Sequence, residues 1–134
     1  MLPRGLRNNN PLNVRKSSQS WKGKLVPGSD PAFEQFVSLE YGLRCAFIIL
    51  RTYIKKYRCD TPSAIIARWA PAVENDVKAY VRSVEQITRL NRNQRLKFSE
   101  KNAICLLVWA MAYVENGQYI SFGRVENAYE MVRS

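Results

Sequence analysis

The chain has 134 residues, 46% of them apolar, enough to bury a core and read here as one domain over 1–134. Its 21 Lys and Arg against 11 Asp and Glu leave a net charge of +10, so the expected partner is anionic: nucleic acid, anionic lipid or the bacterial cell wall. There is no histidine, which excludes Ser-His and Cys-His nucleophiles and most zinc sites, leaves carboxylate chemistry for any catalysis, and calls for no metal or cofactor.

Residues 1–32 are rich in Asn, Pro, Gly, Ser and basic residues, with no acid before Asp30. That composition predicts irregular structure with one short strand pair. Leu6, Leu12, Val14, Trp21, Leu25 and Val26 make it too apolar for a free tail, so it is expected to pack on a helical core over 33–134. The first residues lack the apolar run of a secretory signal. Phe33 and Phe36 predict a short strand or helical turn that pins the segment down.

Ser38 is placed to cap a helix from about Leu39 to Tyr57, with Leu43, Phe47, Leu50 and Ile54 at helical spacing and a basic last turn. Thr61-Pro62 opens a short helix through Trp69, a residue read as a core or helix-packing group in preference to a sugar platform. A turn at Pro71 follows, then a helix from about Asn75 to Leu90 with Val77, Tyr80, Val81, Val84 and Ile87 on one face. A polar basic connection, LNRNQRLKFSE, leads into SEKNAICLLVWAMAYVENG.

From Ala103 to Val114 nearly every residue of that last stretch is apolar, so a helix here is greasy on all sides and belongs in the middle of the fold. The run is well short of the roughly 20 residues that span a bilayer. Ser99 is the expected N-cap and Gly117 the expected stop. Glu115 stands at the C-terminal end, where the helix dipole opposes ionisation. It reads either as the first solvated residue after a core helix or as a carboxyl with a raised pKa. A last helix is expected from about Ser121 to Arg133, making five. Cys45 and Cys105 fall in apolar stretches and read as reduced core thiols.

The phrases RGLRNNNPLNVRKSSQSWKG, FEQFVSLEYGLRCAFIILRTY and IIARWAPAVENDVKAYVRSV together resemble a phage-encoded family, described only as virion structural proteins, that opens on an RGxRNNNPxN-like phrase. The resemblance covers nearly the whole chain. The same order of phrases is similar to lysozyme-like peptidoglycan hydrolases of the flagellar β-N-acetylglucosaminidase type, with Asn10 to Arg15, Trp21 to Gly23, Phe33 to Phe36 and Tyr53 in the matching places. Those enzymes place a catalytic helix ending in Glu, a small residue and Gly before the Asn-rich turn. Here the match is AMAYVENG, far down the chain.

The resemblance therefore implies a mainly α, lysozyme-like fold in circularly permuted order, with Glu115 as general acid. Glu40, Glu74 and Asp76 are the alternatives for a second carboxylate, Glu40 being carried forward with Glu115 as the catalytic pair. Asn9, Asn10, Asn13, Arg15, Trp21, Tyr41, Tyr113 and Tyr119 are the candidates for a saccharide groove. The implied partner is peptidoglycan or another anionic envelope polymer, met from the virion or after release from the host cytoplasm, with other virion proteins alongside. A non-catalytic virion or wall-binding protein is the alternative. Nucleic-acid binding comes last, since no helix-turn-helix, zinc or RRM signature is present.

Overall fold

The computed structural model describes residues 1–70 and 76–133. Over these the chain forms six helices: α1 (Arg4–Arg7), α2 (Leu39–Lys56), α3 (Pro62–Trp69), α4 (Val77–Thr88), α5 (Lys101–Asn116) and α6 (Phe122–Glu130). The helix absent from the expectation is α1, a single turn too short to show apolar periodicity. Pro71, Glu74 and Asn75 lie outside the described residues.

Local chemistry sets most boundaries. Ser38, Thr61, Asp76 and Ser121 each cap a helix by accepting from the backbone N–H three residues on. Arg89, with φ 64°, closes α4, and Gly117, with φ 72°, closes α5 in the left-handed region that glycine enters without steric cost. Ser99 is not the cap of α5. The side chain of Glu100 folds back to accept from the Lys97 N–H at 2.7 Å, closing its own turn, and the helix starts one residue later than expected. At the other end of the chain α6 stops at Glu130, short of Arg133.

Helix α5 packs against α1, α4 and α6, while α2 packs on α3 and α6. Ile104, Cys105, Leu107, Val108, Ala110, Met111 and Ala112 are all fully enclosed, which is what a helix apolar on every side requires. Phe47 of α2, Phe98 and Tyr129 of α6 form an aromatic knot, Phe47 meeting the Tyr129 ring edge-on at 5.6 Å. Burial pushes the Cys45 and Cys105 thiols up to about 12, so both are inert.

Residues 8–37 wrap this core without forming strands. In place of the expected strand pair there are two isolated antiparallel bridges, Arg15 with Phe33 and Lys24 with Phe36. Val14, Phe36 and Cys45 form a second buried cluster that joins the segment to α2. The backbone of Asn9 lies so close to α2 that a Cβ at Gly42 would overlap its carbonyl oxygen, so only glycine allows this approach.

Candidate functional site

The Asn-rich phrase is a piece of scaffold that ends in one side chain aimed at Glu115. Asn9 and Asn13 both have positive φ, 53° and 52°, a conformation asparagine tolerates better than most residues. The Asn9 amide donates to the Phe36 carbonyl at 3.0 Å. Asn10 is fully buried; its amide donates to the Val14 and Glu34 carbonyls and its oxygen accepts from the Val14 N–H, closing the loop on itself. These turns leave Asn13 facing the end of α5.

There the Asn13 Nδ2 donates to Glu115 Oε1 at 2.8 Å, across 102 residues of sequence, and the Tyr80 hydroxyl of α4 donates to Glu115 Oε2 at 3.0 Å. Asn116 next door donates to the Pro11 carbonyl at 2.8 Å and the Ala112 carbonyl at 2.9 Å, clamping the helix end to the same loop. Burial raises the Glu115 pKa, and the two donated hydrogen bonds offset part of that shift. Tyr80 is pushed well above its usual value, first by burial and then by the neighbouring carboxylate.

This arrangement serves both protonation states. With Glu115 ionised, the Tyr80 O–H points to Oε2. With Glu115 protonated there, the carboxyl O–H donates to Tyr80, whose own proton turns to the Met111 carbonyl 3.4 Å away. Holding Asn13 this way has a cost, since its Oδ1 is buried and accepts no hydrogen bond among the described residues. An orphaned oxygen of that kind costs about 1–3 kcal/mol.

Glu115 opens onto a cleft of about 530 Å³. Asn13, Arg15, Ser17, Trp21 and Phe33 line it from the N-terminal segment, Ile49 and Tyr53 from α2, and Arg68, Trp69 and Ala70 from α3. The Trp69 indole donates to the Leu12 carbonyl at 2.9 Å and so ties α3 to the wrapping segment. Of the residues named from the sequence as catalytic or saccharide-binding candidates, the fold brings together Asn13, Arg15, Trp21 and Glu115.

The others sit elsewhere. Glu40 is held by Arg124 through two hydrogen bonds of 2.6 and 2.7 Å, which lower its pKa, and it does not line the cleft. Asp76 is spent on capping α4, and Glu74 lies outside the described residues. Asn9 and Asn10 support the loop from behind. Tyr41 packs against Gly23 and the Val14, Phe36 and Cys45 cluster. Tyr113 and Tyr119 stack on each other at 4.3 Å, and Tyr119 continues onto Trp109 at 4.6 Å.

Sequence reasoning missed Tyr80, Arg68 and the cleft face of Trp69. Tyr80 carried a usable signal: a phenol on a face otherwise made of Val and Ile needs a polar partner once buried. Arg68 carried none, because an arginine in the last turn of a helix is ordinary.

The fold and site define a small all-α protein with, among the described residues, one carboxyl set in an aromatic, cationic cleft. No protein-family model matches the chain. Protein P5 of Pseudoalteromonas phage PM2 is 43% identical to it over 117 residues, which span 85% of this chain and 71% of P5. The chain belongs to the family of that phage protein, in agreement with the phage resemblance of its opening phrase. No helix among the described residues is long and apolar enough to cross a membrane.

Proposed function

We propose that this chain is a virion-associated phage protein that cleaves the glycan strand of peptidoglycan, with Glu115 as general acid. The observation that carries the reading is the Glu115 carboxyl itself, desolvated, paired with no cation among the described residues, and held by two neutral donors at the edge of an aromatic cleft. A carboxyl kept protonated above its usual range can donate to a glycosidic oxygen as the bond breaks.

Among the described residues that line the cleft, Glu115 is the one carboxylate. A single acid suits the chemistry of a lytic transglycosylase. Glu115 gives its proton to the leaving oxygen; the resulting carboxylate then takes the proton of the sugar's own C6 hydroxyl as that oxygen closes on C1, leaving an anhydro end. We also read the chain order as a circular permutation of the lysozyme-like core. Contact between Asn13 and Glu115 across the length of the chain supports it, because it puts the Asn-rich turn beside the acid helix in space.

The test is digestion of purified peptidoglycan by the wild type and by Glu115→Gln, with mass spectrometry of released fragments. The expected outcome is fragments with anhydro ends from the wild type and a loss of about 10²–10⁴-fold in the variant. Reducing ends instead would make the protein a hydrolase. No fragments from either protein across several wall types would overturn the catalytic reading in favour of a wall-binding or structural virion component.

A further inference from the structure

Acid chemistry alone does not account for the charge of the cleft. Arg68 lines it from the last turn of α3 and is solvent-exposed, yet its guanidinium is confined, lying 4.1 Å from the Tyr57 ring centroid and 4.9 Å from that of Tyr53. Among the described residues it forms no ion pair, while seven of the other cations do. Two tyrosine faces set the plane of the fork in advance, so less rotamer freedom is lost when it grips a ligand. A planar guanidinium matches a carboxylate through two parallel hydrogen bonds. Beside it, Tyr53 and Trp69 meet edge-on at 5.7 Å and, with Trp21, offer ring faces to the apolar side of a sugar.

We propose that Arg68 is a specificity residue that holds a carboxylate of an acidic glycan seated on the aromatic lining. The proposal rests on the glycan reading above and names what that glycan carries. In a wall polymer the carboxylate has two sources, the lactyl ether of a muramyl sugar or the peptide stem attached to it.

The experiment uses Glu115→Gln protein, which cannot consume its ligand, and follows binding by tryptophan fluorescence. Four probes are titrated: stem-free strands with free lactyl carboxylates, the same strands with carboxyls reduced to alcohols, stem-bearing strands, and a neutral chitin oligosaccharide. We expect acidic strands to bind about tenfold more tightly than reduced or neutral ones. Adding Arg68→Met should erase that preference, and Arg68→Lys should retain part of it. A preference for stem-bearing strands that Arg68→Met removes assigns the carboxylate to the peptide and supports the role equally.

Equal binding of acidic and reduced strands overturns the proposal, as does an Arg68→Met protein that still discriminates, or absence of binding to every probe. The readout is a ratio within one protein, so partial misfolding does not mimic it. If discrimination is found while the wild type releases no wall fragments, the cleavage reading fails and the subsite stands. If fragments are released without discrimination, the subsite alone fails.

Discussion

The N-terminal segment and the helices behind it withdraw chain from water with different materials. The helices do it with apolar side chains, as in the α5 stretch from Ile104 to Ala112. The segment does it with polar groups paired one by one. Asp30, 8% exposed, takes two hydrogen bonds of 2.7 Å from Arg4, one from Asn8, and the backbone N–H groups of Ala32 and Phe33. Glu34, 1% exposed, meets Lys24 at 3.0 Å.

The two regions meet at Glu115, and a comparison with Asp30 shows why their carboxylates behave in opposite ways. Asp30 has a cation and three further donated bonds, and its pKa falls far below the usual carboxylate range, the Arg4 contact being the largest cause. Glu115 has two neutral donors against apolar surroundings, and its pKa rises. Withdrawal from water does not by itself decide the charge of an acid; the number and charge of the donors supplied in compensation do.

The contrast breaks most visibly by cutting one support from each region. Phe47→Ala, in the aromatic knot, should cost about 3–5 kcal/mol and lower the thermal midpoint of the whole chain. Asp30→Ala should cost about 2–3 kcal/mol by leaving the Asn8 amide and two backbone N–H groups unmatched. Its loss should be regional, with hydrogen exchange rising over residues 8–37 and helical circular dichroism retained. The contribution of Asp30 is present above its unfolded pKa of about 3.9 and is lost as pH falls through the lower folded value, so acid should loosen the segment first.

Glu115→Gln sharpens the comparison from the other side. A carboxyl whose folded pKa is raised contributes its stability below the unfolded value of about 4.3 and loses it as pH rises through the folded value. The variant should therefore be more stable than wild type at pH 7, with the gap closing as pH drops below about 4.3, read by denaturant melts at both ends. A variant less stable than wild type at pH 7 would mean that the ionised carboxylate is welcome where it sits.

The smallest effect expected is that of Tyr80→Phe. Removing a donor from Oε2 leaves burial less opposed, so the Glu115 pKa should climb further in a carbon-detected NMR titration. In a cleavage assay the alkaline limb of the pH profile should move up in step.

Local sequence determined the helices. The apolar run of α5, its glycine stop, and the caps Ser38, Thr61 and Ser121 are readable because each depends on residues within a turn or two. The position of Glu115 at the end of a buried helix was readable for the same reason. What lay beyond a local reading was the company it keeps. Asn13 and Tyr80 reach it from 102 and 35 residues away, and Arg68 lines the same cleft from α3, which the Trp69 indole ties to Leu12. The same distance misled the choice among the asparagines, since Asn10 and Asn13 look alike in a polar phrase and differ only in what the fold sets before them. Hydrophobic period and capping are short-range properties of the chain, whereas the charge of a withdrawn carboxyl is set by groups that only the tertiary fold brings within 3 Å.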